Sequence, residues 1–236
     1  MKVPLILHIE SATDVCSVCI SKGEELAAIR EADGRNEHSR VMTLLIQECL
    51  KEAELSIHEM DAVAVSSGPG SYTSLRVGTS VAKGICYALE KPLITVDTLQ
   101  SLALAALSEE KEREALYCPM IDARRMDVYT RLFDGENRAV TKTEAETIDS
   151  YSYQSYFESG KKIFFCGNGA EKCRPLIGQS PFSCFSHITT CTSKFMIPLA
   201  IQAFASENWA NLAYYAPLYF KSPNITIPRK KVTPSI

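Results

Sequence analysis

Long apolar runs are missing from this sequence: nothing among its 236 residues reaches the ~18 consecutive apolar positions that a membrane-spanning helix needs. A membrane span is therefore not expected. Nor is a secretory leader, because Met1-Lys2-Val3-Pro4 opens only a short apolar stretch that Glu10 interrupts. Charge of one sign is scarce too. The 25 Lys and Arg against 28 Asp and Glu leave a net charge of −3, which argues against a nucleic-acid surface spread over the whole chain. A local basic patch stays open. Histidine is sparse: the four, at positions 8, 38, 58 and 187, stand alone, and no two have the spacing of metal ligands. No Gly-Lys-Ser/Thr follows the glycine-rich segment at 68–71, so it does not continue as a Walker-type phosphate loop. No Ser-His-Asp or Cys-His order can be defended from these histidines either. No catalytic residue, metal or cofactor is expected.

Cysteine, by contrast, occurs nine times, and without a leader this points to reduced thiols in a cytoplasmic setting. Cys16-Ser17-Val18-Cys19 has the spacing of a metal or redox pair, but on a strand residues three apart point to opposite faces. Cys166, Cys173, Cys184 and Cys191 are unequally spaced and read as small buried hydrophobes.

With 46% hydrophobic residues the composition is that of an ordinary globular protein. Val3 to Ile9, Val15 to Ser21 and Leu26 to Glu31 are three β-rich runs joined by short turns, which implies an antiparallel meander. Val41, Met42, Leu45, Cys49 and Ala53 then recur at helical spacing. A strand from Asp61 to Ser66, a long helix from Tyr72 to Leu89, a strand from Leu93 to Val96 and a helix from Thr98 to Leu107 complete a β-β-β-α-β-α-β-α order. The second half begins alike. A strand from Leu116 to Ile121 ends in Asp122, Ala123-Arg124-Arg125 turns into a strand from Asp127 to Phe133, and a third strand is expected after Asp134-Gly135-Glu136-Asn137. Glu10 and Asp122 hold equivalent places. So do Gly68-Pro69-Gly70 and Gly167-Asn168-Gly169, each following an apolar strand. Two matched features in matched order suggest a duplicated unit, although strands often end in acids and glycines without any duplication. The two lobes are drawn at residues 1–106 and 107–236, the second reduced and ending in a tail.

A duplicated unit of this order resembles the α/β actin-like ATPase fold (the ribonuclease H-like group of sugar kinases, Hsp70 and actin). In that fold two acids and two glycine turns face a cleft that holds ATP and a metal. Glycine turns can bare backbone N–H groups to a phosphate at a helix N-terminus, and strand-end acids can hold hydrated Mg²⁺.

The most informative stretch is Ser67-Gly68-Pro69-Gly70-Ser71-Tyr72-Thr73-Ser74-Leu75-Arg76-Val77-Gly78. It closely resembles the signature of the TsaB (YeaZ) family, G-P-G-S-[FY]-T-G-L-R-[IV]-G. Further matches follow in family order: Ile9-Glu10-Ser11-Ala12-Thr13, His38-Ser39, Pro119-Met120-Ile121-Asp122-Ala123-Arg124-Arg125, Cys166-Gly167-Asn168-Gly169-Ala170 and Pro217-Leu218-Tyr219. Two positions depart from the pattern: Ser74 stands for the usual Gly, and Glu10 for the frequent Asp.

The resemblance implies a non-catalytic subunit of the machinery that makes N6-threonylcarbamoyladenosine at adenosine 37 of tRNA. Such proteins support TsaD, their catalytic paralogue, together with the P-loop ATPase TsaE. They form homodimers when alone and meet tRNA only through the complex. TsaD holds its metal through a His-x-x-x-His pair, whereas here Met42 follows His38 at that spacing. The family's helix-pair interface maps onto His38, Val41, Met42, Leu45 and Cys49 of the first helix and Ser74, Gly78, Val81, Ala82 and Ile85 of the second. Glu10, Gly68, Gly70, Ser71, Asp122, Gly167 and Gly169 would line a vestigial nucleotide-type cleft. Two other readings stand beside this one: an active ATPase or small-molecule kinase using Glu10, Asp122 and the glycine turns, or an oligomeric scaffold unconnected with tRNA. The basic Arg229-Lys230-Lys231 near the C-terminus is expected to be solvated.

Overall fold

The computed structural model describes residues 3–33 and 38–221; Arg229-Lys230-Lys231 lies outside them. Its first sheet is built from β1 (Leu5–Glu10), β2 (Val15–Lys22), β3 (Glu25–Asp33), β4 (Ala62–Ser66) and β5 (Leu93–Val96), in the order β3-β2-β1-β4-β5. The meander β1-β2-β3 is antiparallel, and β4 and β5 add in parallel. Parallel neighbours need crossovers. These are α1 (His38–Glu52) between β3 and β4, and α2 (Tyr72–Leu89) between β4 and β5. Next comes α3 (Thr98–Glu110). Asp97 caps its start by accepting from the Gln100 N–H at 3.0 Å.

The second half repeats the plan with shorter pieces. β6 (Leu116–Asp122), β7 (Asp127–Thr130), β8 (Glu144–Thr147), β9 (Ile163–Cys166) and β10 (Ser183–Phe185) are ordered β8-β7-β6-β9-β10, the same sequence of roles. Its helices are α4 (Gln154–Glu158), α5 (Ala170–Ile177) and α6 (Ile197–Ala205). This is the duplicated actin-like ATPase arrangement that the sequence pattern suggested, with a reduced second lobe. Strand limits differ in detail. β7 ends at Thr130 rather than Phe133, because Phe133 leaves the ladder and pairs singly with Tyr117 and Ala139.

Each sheet buries both faces, and the two lobes exchange helices to do it. Val18, Ile20, Val63 and Val65 pack beneath Met42, Ile46, Cys49, Ala82 and Cys86 of α1 and α2. The opposite face of the first sheet, with Ile6, Ala64 and Ile94, is covered by Met196 and by Ala200 of α6, which belongs to the second half. Reciprocally, Leu99, Leu102, Ala103 and Ala106 of α3 pack on Tyr117, Ile121, Phe164 and Cys166 of the second sheet. The boundary at 106/107 therefore falls inside α3, a helix whose apolar face belongs to the second core. Fully burying one aliphatic side chain is worth about 1.5–3 kcal/mol, so each exchanged helix contributes several kcal/mol to the core it covers.

Strand alternation also settles the Cys-x-x-Cys segment. Cys16, Val18 and Ile20 face the α1–α2 core, while Ser17 faces the other way and meets Ser193 at 2.8 Å. Cys16 and Cys19 are both buried, and burial pushes each thiol up to about 12. They pack as small hydrophobes.

Candidate functional site

A cleft of about 1000 Å³ opens between the lobes. One wall is the β1–β2 turn at Ala12–Asp14 with the start of α2 at Gly70–Ser74. The other is the β6–β7 turn at Asp122–Arg125 with Asn168. The duplication therefore places matched turns opposite each other, as the paired acids and glycines implied.

The first wall is set by close backbone approach. Ser71 N–H donates to the Ala12 carbonyl at 2.7 Å, and a Cβ on Gly70 would lie 2.2 Å from that oxygen. Only glycine fits there. Ser71 is the N-cap of α2, and its hydroxyl also accepts from the Ser74 hydroxyl at 3.0 Å. Ser74 is thus accommodated as an ordinary helical residue in a polar cap. Gly68 sits behind the wall under the Leu218 carbonyl, and Gly167 and Gly169 lie against Met120 and the Ile121–Asp122 backbone. These glycines shape the turns, whereas Gly70 and Ser71 line the space itself.

The two acids are differently placed. Glu10 is fully buried behind the β1–β2 turn, where its carboxylate accepts from the Ala12 N–H at 2.6 Å. Burial outweighs that bond and the nearby Ser66 hydroxyl, and raises its pKa to about 7. Asp122 does reach the cleft. There its Oδ1 accepts from the Arg124 N–H at 2.9 Å and from the Lys172 ammonium, while Asn168 Oδ1 holds the Asp122 N–H at 2.9 Å. Lys172 is further anchored by the carbonyls of Arg125 and Asp127, both at 2.8 Å. A hydrated Mg²⁺ held by two outward carboxylates does not fit this arrangement: one acid is walled in and the other carries a cation already. Among the described residues, no three His, Cys, Asp or Glu are grouped to hold a metal ion.

What the cleft does offer is donors. The N-terminus of α2, Arg124 and Arg125 face it, the two arginines both in the left-handed conformation. His38 completes the wall; it is 3% exposed, and neither ring nitrogen has a partner among the described residues. These donors share the lining with the carboxylates of Asp14, Asp122 and Asp127. Asp127, at the far rim, is held below the usual carboxylate range by hydrogen bonds from Lys221 and the Thr147 hydroxyl.

The expected partner surface needs correction. Ser74, Gly78 and Ala82, small residues spaced four apart in a stripe on α2, do not face outward to a partner. Gly78 and Ala82 face their own sheet, where a Cβ on Gly78 would lie 2.2 Å from Ser11 Oγ and where Ala82 is 0% exposed, while Ser74 is buried in the helix cap at the cleft wall. Met42, Leu45 and Cys49 are buried in the same core, and His38 lines the cleft. Only Val41, Val81 and Ile85 of that set are half-buried at the surface. The stripe of small residues exists because helix and sheet approach closely, not because a second helix docks there.

A family model described as "TsaD: tRNA N6-adenosine threonylcarbamoyltransferase" matches residues 32–225 of this chain. The Escherichia coli K12 protein named "tRNA threonylcarbamoyladenosine biosynthesis protein TsaB" is 26% identical over 221 residues, covering 92% of this chain and 94% of that protein. The chain belongs to the TsaB (YeaZ) family. A TsaB of Buchnera aphidicola from Acyrthosiphon pisum is 32% identical over 125 residues, 53% of this chain, and the match spans 55% of that relative's length. The fold of the TsaB family is seen again in the solved structure titled "YeaZ from Pseudomonas aeruginosa", at TM-score 0.79 and 21% identity over 92% of this chain and 99% of that one. The match to the TsaD model agrees with the paralogue relationship expected from the sequence.

Two features of this TsaB-family chain carried no usable signal in the sequence. Lys172 lies 50 residues from Asp122 and just outside the matched segment Cys166-Gly167-Asn168-Gly169-Ala170. Phe220 and Lys221 line the cleft although the matched segment Pro217-Leu218-Tyr219 ends before them.

Proposed function

We propose that this chain is a non-catalytic subunit in tRNA threonylcarbamoyladenosine biosynthesis, binding and supporting the TsaD-type transferase together with TsaE in the cytoplasm. Family membership supports the pathway, and one observation carries the non-catalytic part. Of the two acids that would serve a nucleotide-bound metal, Glu10 is sealed behind its turn and Asp122 is paired with Lys172. Without a free carboxylate at either strand end, the cleft lacks the ligands that would hold a nucleotide-bound metal ion at a phosphoryl-transfer transition state. Among the described residues no helix is long and apolar enough to cross a membrane.

The partner surface we assign is the outward side of α1 and α2. Leu44 is 53% exposed there, with Val41, Val77, Val81 and Ile85 half-buried along the same helix pair. An exposed leucine beside a line of half-buried valines leaves apolar area that a second pair of helices can cover. Self-association and TsaD binding then compete for one face.

The test is reconstitution. Purified TsaD, TsaE and threonylcarbamoyl-adenylate should modify tRNA strongly only when this chain is added, and the chain should co-purify with TsaD. Modification that is unaffected by its addition would refute the reading. Appreciable ATP turnover by the chain alone would favour an active ATPase instead.

A further inference from the structure

The last described stretch of chain runs back along α2 and then changes lobes. Lys83 on α2 donates to the carbonyls of Ala213 and Tyr215 at 3.3 and 3.1 Å. Leu218 N–H donates to the Ser67 carbonyl at 2.9 Å. At the start of α2 the Tyr219 ring lies 4.5 Å from that of Tyr72, and Arg76 Nε donates to the Tyr219 hydroxyl at 3.1 Å. The Arg76 guanidinium also sits 4.4 Å over the Tyr72 ring. Everything up to Tyr219 is therefore fastened to the first lobe.

One residue later the fastening changes sides. Phe220 lies 6.4 Å from Tyr129 of β7. Lys221 donates to Asp127 Oδ2 at 2.5 Å and to the Ala123 carbonyl at 3.3 Å, both in the second lobe. Tyr219 and Lys221 are separated by Phe220 alone, so even a fully extended backbone can part their Cα atoms by only about 7 Å. The segment has little slack.

We infer that Leu218–Lys221 is a clasp that fixes the opening of the cleft. A hinge motion of more than a few ångströms must break either the Tyr72–Arg76–Tyr219 cluster or the Lys221–Asp127 pair. The two ends are thus coupled: once one is released, the lobes part more readily and the other opens more often. Tyr72 and Arg76 stand on α2, so the clasp also ties cleft opening to the helix pair assigned above to partner binding. That last link rests on the assignment, whereas the clasp itself does not.

Hydrogen exchange on the full chain without partners tests the clasp independently of any role in tRNA modification. Lys221→Ala should speed exchange several-fold at the far end, at the Leu218 amide bonded to Ser67. Tyr219→Ala should do the same across the cleft, at the Ala123 and Asp127 amides whose acceptors are the carbonyls of Asp127 and Arg124. Faster exchange confined to the mutated end in both variants would overturn the clasp, since each fastening would then be local. If Tyr219→Ala does not fold, Tyr219→Phe removes only the oxygen bonded to Arg76 and is read in the same way, with a smaller effect.

Discussion

Lys172 of α5 closes on the carboxylate of Asp122 at the end of β6, and the carbonyls of Arg125 and Asp127 hold the ammonium in place. One α5 side chain thereby occupies, with its charge, the position from which the acid would otherwise reach a metal. Glu10, its counterpart in the first lobe, is withdrawn by burial instead. The duplicated acids are silenced by different means.

The first prediction follows from that pair. Glu10→Ala and Asp122→Ala should leave tRNA modification in a reconstituted mixture largely intact, provided each variant folds. A cleft that stabilises no transition state loses no rate with its acids. A fall of about 100-fold, or roughly 2.7 kcal/mol of barrier, in a variant with normal thermal stability would show that the cleft is active.

Burial of the small stripe on α2 gives the second. Ala82→Arg should destabilise the fold by more than about 4 kcal/mol, because a cation is forced into a closed apolar core. A urea melt checks this. A stable, folded monomeric variant would contradict the packing.

Leu44→Arg is the complementary change on the surface. Leu44 is half-exposed, so stability should move by less than about 0.5 kcal/mol. Self-association, measured by sedimentation, and TsaD binding should both weaken by about tenfold or more, the effect of losing about 1.4 kcal/mol at an interface. A variant that dimerises and binds TsaD normally removes this face as the partner surface.

pH dependence is set on β1, where His8 and Glu10 are both fully buried. Burial lowers the His8 pKa from 6.5 to about 3, so the unfolded chain binds a proton that the folded chain refuses. Stability from this group is lost as pH falls from about 6.5 towards 3. Glu10 works in the opposite direction. Its folded pKa of about 7 lies above the ordinary 4.5, so its folded state keeps a proton longer, and stability is lost as pH rises from 4.5 to about 7. The two slopes oppose each other between 4.5 and 6.5. Glu10→Gln should therefore gain stability relative to the natural chain as pH rises from 5 to 8, on the order of 3 kcal/mol at most. Denaturant melts at the two pH values measure this, and a difference that does not change with pH would show that Glu10 is charged when folded.

The sequence by itself determined the duplicated strand and helix order, the glycine turns and the family. Each of these is written locally: period-two and helical apolar patterns, Gly68-Pro69-Gly70 and Gly167-Asn168-Gly169, and the segment running through Ser71-Tyr72-Thr73-Ser74. Tertiary structure alone decided which way things face. Ser74, Gly78 and Ala82 make the same i, i+4 stripe whether they meet a partner or their own sheet, and only the closeness of Ser11 and Ile9 to Gly78 settles it. Likewise no local pattern announces that Lys172 will neutralise Asp122, that α3 and α6 will each cover the other lobe's sheet, or that Tyr219 and Lys221 will grip opposite lobes. Helical and strand periodicity records that a residue has an apolar neighbour; the identity of a neighbour many residues away is fixed by the packing of the whole chain.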